Sequence, residues 1–251
     1  MISDRLIADR RAGWRDAVAS AVGLALLLLV WQIVHSRTGS LVLPSPLVVA
    51  GRVRDLLTAP GTLAVLGTTM MDALGGLLAG GAVGFTAGAL AGAARPLGAA
   101  LRPVATMILG VPHIAWVVLA LLWFGPQGLA PAFTVAMTCL PLLFIGAYHG
   151  MRARDPALAE MARVFALSPT RRFIDIAVPQ IAAHVRAALA GAIGMSFKVA
   201  VMAEVLSGGV GVGGRIATAR AYLETDAVLA WIVLTVALLL ALEAAAARVL
   251  R

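Results

Sequence analysis

Glu160–Pro179 reads EMARVFALSPTRRFIDIAVP, an arginine-bearing, proline-punctuated stretch between two runs that are almost wholly apolar. From Pro156 to Phe165, Leu158, Met161, Ala162 and Phe165 recur at helical spacing, with Glu160 and Arg163 off that stripe. Ser168-Pro169 pairs an N-cap residue with a proline suited to the first helical position. A second short helix is expected there, running through Thr170, Arg171, Arg172, Phe173 and Ile176 until Pro179 ends it. Two capped helices with a sharp bend at Ala166-Leu167 make a knob, too small for a domain and too well capped for a floppy linker.

The runs around the knob are long. The chain is 61% hydrophobic and 13% charged, with a mean hydropathy of +0.95. A soluble domain is about a quarter charged and under half apolar, so this is an integral membrane protein. The net charge of +8 does not point to nucleic acid. Lys198 is the single lysine, and the arginines sit in short gaps between apolar runs rather than on one basic face. Cys139 is the single cysteine, which excludes an internal disulfide and Cys-based metal spacing. The opening MISDRLIADRRAGWRD lacks a small-residue cleavage site after the first apolar run, so that run reads as a retained helix.

A spanning helix needs about 20 mostly apolar residues. Six segments qualify: 17–35, 72–93, 103–124, 128–149, 187–207 and 227–247. The expected organisation is an N-terminal segment 1–16, then one all-α transmembrane domain 17–251 with a loop 151–186 holding the knob. Fourteen arginines flank one side of these spans and five (Arg37, Arg52, Arg54, Arg215, Arg220) the other. The positive-inside bias then places both termini and the knob in the cytoplasm. On the outer side, Ser45-Pro46 caps a short helix that Thr58-Ala59-Pro60-Gly61 stops; its apolar residues suit the membrane interface.

Within the spans, Gly76, Gly80, Gly84, Gly88 and Gly92 recur at every fourth position and form a groove for another helix backbone. Pro112 and Pro141 should kink their helices. Gly208–Gly214 reads as a flexible external loop that could touch an external protein; no G-x-x-x-x-G-K-[ST] occurs, so the chain has no P-loop for ATP. Asp72 and Glu243 fall near span ends and can reach water, while Glu204 lies near the outer end of span five. Intramembrane charge is costly and marks function by default. Lys198, near the middle of span five, has three readings: it faces a translocation path and favours an anion, it pairs with an acid in the bundle, or it snorkels. His113 either touches that path or is a hydrogen-bonded packing residue. No nucleophile–base, metal or paired-carboxylate constellation forms within one membrane layer, which argues against an enzyme.

The knob resembles the EAA loop of ABC-type importer permeases. Glu160, Ala162, Ile176 and Pro179 match that pattern at the right spacing; Met161, Ala166 and Val178 depart from it, with Ala166 standing where the pattern has glycine. LPSP at 43–46, LWFG at 122–125, MAEVL at 202–206, GVGVGGRI at 209–216 and ETDAVLAW at 224–231 follow in order and are similar to the nitrate/sulfonate/taurine branch, which tends to show arginine where Asp72 stands. The resemblance covers about residues 40–250. It implies a type I importer permease (MetI-like) fold of six spans, multi-pass in the inner membrane, with no cofactor of its own. Two such permeases, here a homodimer, pair with two ATPase subunits that bind ATP and Mg, and with an extracytoplasmic solute-binding protein. Residues Ser168, Pro169, Thr170, Arg171, Arg172 and Phe173 would dock on the ATPase, Glu160 would be the acidic anchor, and Ala162 and Ala166 would shape the knob. The solute would be a small anion of the nitrate/sulfonate/taurine type; a non-anionic solute such as a vitamin precursor is the alternative. A stand-alone secondary transporter is the other class; it would carry inverted repeats around broken helices, and no such repeat is visible.

Overall fold

The computed structural model describes residues 2–126 and 128–250, with side chains from residue 18 onward except at 159, 169 and 173; Met1, Gln127 and Arg251 lie outside the described residues. Among the described residues every regular element is helical. In order these are α1 (Ile2–Thr38), α2 (Pro46–Thr58), α3 (Thr62–Ala93), α4 (Arg95–Gly110), α5 (His113–Phe124), α6 (Ala130–Arg152), α7 (Pro156–Val164), α8 (Pro169–Arg171), a π-helical turn Arg172–Ala177, α9 (Val178–Ser207), α10 (Val212–Ala221) and α11 (Thr225–Val249). Five helices are long and apolar enough to cross a membrane, and α4 with α5 forms a sixth candidate bent by 92°. The chain divides into two compact units, residues 1–59 with 219–230 and residues 60–218 with 231–251.

In the first unit, α1 is tied to the segment after it: Trp31 Nε1 donates to the Pro44 carbonyl at 2.9 Å. Ser45 caps α2 through Val48 N with Pro46 in the first turn, and the helix stops at Thr58, as its sequence requires. Val49 is buried, with Arg52, Val53 and Leu56 half-buried on the same side, while Leu47 and Leu57 are exposed. Arg52 lies 3.9 Å from Glu224 and 3.7 Å from Asp226, and Thr225 Oγ1 donates to Leu41 O at 2.8 Å.

The second unit is organised by a seam between α3 and α6. A methyl group built at Gly76, Gly80, Gly84, Gly88 or Gly92 would collide in turn with the backbone carbonyl of Ala132, Ala136, Leu140, Phe144 or Tyr148. Only hydrogen fits between these backbones, which is how small residues let membrane helices approach. Both members of each pair advance four residues per step in the same direction, so α3 and α6 are parallel. That settles what the bent pair does. Arg102 stacks over the Tyr148 ring near the end of α6, His113 meets Thr138 in its middle, and Phe124 meets Phe133 near its start. The α4–α5 pair therefore carries the chain back alongside α6, and counted as one broken span it brings the candidate crossings among the described residues to six.

The expected single helix over 103–124 is corrected: it is broken at Val111-Pro112. Pro112 has no N–H for the Ile108 carbonyl, Val111 N takes that acceptor instead, and a residue preceding proline is pushed into extended backbone. Pro141, by contrast, lies fully buried inside an uninterrupted α6. Span two begins ten residues earlier than expected, at Thr62, just after Gly61 turns the chain with φ of +95°. Pro179 does not end a helix. The π-helical turn precedes it, and because widening to that spacing leaves a carbonyl unpaired, the absent proline N–H costs nothing there; α9 runs on to Ser207. Antiparallel to α6, α9 packs Ile181 on Gly150 and Ala188 on Gly146. Cys139, Phe197, Val199 and Ala200 form the core beside Leu77 and Val135.

The glycine-rich stretch is not a flexible loop. Only Gly208–Gly211 is loop, and α10 begins at Val212 because a buried carboxylate holds its first turn. Glu204 Oε2 accepts from Gly213 N at 2.8 Å and from Thr69 Oγ1 at 2.9 Å, and Thr69 Oγ1 accepts from Val212 N at 2.8 Å.

The seam makes a pointed expectation. Gly80→Ala should lower the thermal stability of the detergent-purified protein by roughly 1–3 kcal/mol or more, while Gly75→Ala, on the open side of the same helix, should leave the melting temperature unchanged. Equal behaviour of the two variants would overturn the parallel α3–α6 packing.

Candidate functional site

Three of the sequence-derived site groups lie in the second unit, at different depths. The knob is built as its capping residues direct. Asp155 Oδ1 accepts from Ala157 N at 2.8 Å and starts α7 with Pro156 in its first turn. Ala162 is fully buried, so the apolar stripe of α7 has an inward anchor. After α7 the chain turns through Ala166 at φ +50°, with Leu167 N bonded to Ala162 O and Ala166 N bonded to Arg163 O. Those two bonds are a Schellman C-cap, in which glycine is preferred because a Cβ in the left-handed region is crowded. Alanine thus keeps the turn that glycine would make, at a cost of roughly 1–2 kcal/mol. Ser168 Oγ then accepts from Arg171 N at 3.4 Å, and Ser168 O from Arg172 N at 2.9 Å.

The arginines separate here. Arg171 is exposed, as are Glu160, Ser168 and Thr170. Arg172 is half-buried and folds back, its Nη2 donating to Leu167 O at 3.3 Å, so it braces the bend. The side chains of Pro169 and Phe173 lie outside the described residues. Reading by sequence missed two features. Val164 is 78% exposed and Ile174 56%, and with Phe165 and Met161 they give the knob an apolar outer face. Met161 and Phe165 belong to the stripe read from the sequence, so of Met161, Ala162 and Phe165 only Ala162 turns inward, and Val164 and Ile174 were the apolar residues off the stripe. The second is a brace between the flanking spans: Gln180 Oε1 accepts from Asp155 N at 2.7 Å while Gln180 Nε2 donates to Ile176 O at 2.8 Å.

In the membrane layer, Lys198 Nζ lies 3.9 Å from Glu243 Oε1, both side chains about half exposed. Phe197 and Val199 beside it are buried, so α9 turns its core face one way and Lys198 another. The pairing reading of Lys198 has a concrete partner, at the outer limit of an ion pair, with the ammonium still accessible. His113 stands at the α4–α5 break, its Nδ1 3.2 Å from Thr138 Oγ1, whose hydroxyl also donates to Thr134 O at 2.9 Å. With that proton spent, Nδ1–H is the donor to Thr138. His113 thus makes the hydrogen bond that its packing reading expects, with its ring still half-exposed at the bend. Lys198 and His113 are not brought together, and neither meets the knob.

Residues 80–251 match the family described as binding-protein-dependent transport system inner membrane component. The chain is 35% identical over 128 residues to the putative aliphatic sulfonates transport permease protein of Escherichia coli (strain K12); the match covers 51% of this chain and 49% of that protein, about half its length. It is 31% identical over 205 residues to the nitrate import permease protein of Synechocystis sp., covering 78% of this chain and 74% of that one. Among solved structures, it is similar to an amino acid ABC transporter crystallised with histidines, with a TM-score of 0.59 and 17% identity over 75% of this chain and 90% of that chain. A likeness at that identity speaks for the fold alone.

The left-handed alanine gives the knob a measurable property. Ala166→Gly should raise the melting temperature of the purified protein or leave it unchanged, by an amount up to about 1 kcal/mol. Ala166→Val, placing a β-branched residue at positive φ, should lower it.

Proposed function

The chain belongs to the family of binding-protein-dependent transport system inner membrane components, a transport subunit of the inner membrane rather than an enzyme, and from that premise we propose how it works. It forms the membrane path of an ATP-driven importer for a small anion. Two copies pair, two ATPase subunits bind ATP with Mg and dock on the knobs, and an extracytoplasmic binding protein delivers the solute. Both termini and the knob face the cytoplasm, a reading the arginine distribution supports, and lipid surrounds the spans.

The observation that carries this reading is the knob's form and attachment. It presents exposed Glu160 and Arg171 beside exposed Met161, Val164, Phe165 and Ile174. A water-facing loop gains nothing by exposing such residues unless a partner covers them. Its attachment is stiff: from Pro169 the chain passes through the π-helical turn into α9 without a loop, as far as Ser207. The Gln180 brace fixes the other root, beside α6. A displacement of the knob by a closing ATPase pair would move α9 as a rod about 45 Å long. Glu160 would pair with a basic group of the ATPase and Arg171 with an acidic one; Arg172, Ala162 and Ala166 hold the shape.

For the solute, the sulfonate and nitrate named in two relatives are both anions, and Lys198 is an accessible cation near the middle of α9. It would meet the anion during passage, with Glu243 as its resting partner. That same Glu243 contact favours the second reading: a neutralised lysine serves a permease for an uncharged solute equally well.

Two measurements test these statements. Mild solubilisation of tagged protein should co-purify a P-loop ATPase, and Glu160→Ala with Arg171→Ala should reduce its recovery at least fivefold without lowering the permease's own yield. Absence of any ATPase would revive a stand-alone transporter. In cells, Lys198→Met with Glu243→Gln removes the ion pair without stranding a charge; uptake of sulfonate or nitrate should fall at least tenfold while the ATPase still co-purifies. Retained uptake would place the anion path elsewhere.

A further inference from the structure

At the end of α3 and α9 opposite the knob, a cleft of about 350 Å³ is lined by Thr68, Asp72, Pro131, Glu204, Ser207 and the glycine turn 208–211 with Val210. Glu204 is 1% exposed, and its two oxygens differ. Oε2 is satisfied by Thr69 and Gly213. Oε1 has no hydrogen-bond partner although it is buried. It lies against Gly211, where a methyl would fill its place, and the Asp72 carboxyl is a neighbour of the Glu204 carboxyl. Among the described residues no lysine, arginine or histidine lines the cleft. The hydroxyl protons nearby are already used, since Thr68 Oγ1 donates to Ala64 O at 3.0 Å and Ser207 Oγ to Glu204 O at 3.3 Å. Their lone pairs remain.

Two neighbouring carboxyl groups, one with a buried oxygen that has no partner, call for a positive donor. The shape decides which kind. A bare metal ion needs about six oxygen ligands closed around it, and here one side of the cleft is proline, valine and glycine carbon. The volume is also of the order that takes a small molecule, at the lower end of about 300–1,000 Å³. We propose that this cleft binds the ammonium group of a small organic amine, with Glu204 Oε1 and Asp72 accepting its N–H donors and the Pro131–Val210 wall covering its carbon body. The site does not depend on which solute the importer carries.

The test is calorimetric titration of the full-length protein in nanodiscs with n-butylamine at neutral pH, with butane-1-sulfonate and calcium chloride as separate arms. Butylammonium should bind saturably, and sulfonate and calcium should not. Asp72→Asn should weaken the amine at least about tenfold, as expected on removing one member of a desolvated charge pair, whereas Asp72→Glu should retain it, which guards against a variant that merely misfolds. No amine binding to the wild type, binding insensitive to Asp72→Asn, or calcium binding in its place would each overturn the proposal. The first of these outcomes would leave a proton shared between the two carboxyl groups as the positive charge.

Discussion

The contact on which the second unit depends is the backbone-to-backbone seam of α3 and α6. In a bilayer the hydrophobic effect does not drive helices together, because lipid is as apolar as leucine. What remains is close packing, and five glycines spaced by four let a whole face of α3 settle on the α6 backbone. The parallel direction of that seam has a topological consequence: a chain leaving the end of α3 has to return to its start before α6 can begin. The α4–α5 pair makes that return as two short helices at 92°, with Pro112 supplying the break and the His113–Thr138 bond holding the corner.

Against this fixed pair, α9 is the element that links the two ends of the unit. One end grows out of the knob through a π-helical turn; the other ends in the Glu204 clasp, which binds the first turn of α10 and, through Thr69, α3. Widened helical turns concentrate where function needs a local departure from regular helix. Here the turn precedes Pro179 and α9 runs on through it, so knob and span are joined without a loop. The clasp explains why a run of glycines beyond α9 is ordered: a buried carboxylate must be satisfied, and the closest donors are the amides of that run.

The knob was legible in unusual detail because caps are local. The stripe from Pro156 and the Ser168-Pro169 pair announce two helices, and the bend between them falls at Ala166, within the Ala166-Leu167 step expected; the Asp155 cap of the first helix went unread. What those residues do with their partners was less legible. Arg171 and Arg172 are neighbours of identical type, yet one faces solvent and the other holds the Leu167 carbonyl; the difference is a 100° rotation about a helix and has no sequence signature. Likewise Lys198 announced itself as an intramembrane charge, but its partner Glu243 lies on a helix whose rotation hydropathy leaves open.

By itself, the amino-acid sequence determined that this is a helical membrane protein, where its apolar runs lie, which helix offers a flat glycine face, and where the capped knob sits. These are properties of composition, spacing and local hydrogen bonding, and each is complete within a few turns of chain. The tertiary structure alone decided which helix fills the glycine groove and in which direction, that the segment 103–124 is broken, that the helix beyond the knob is continuous through Pro179, and that Glu204 binds one set of donors while one of its oxygens keeps no partner. Those are pairings between residues far apart in the chain. They follow from which surfaces can approach without a clash and which buried acceptors find donors, and neither is written in the neighbourhood of any single residue.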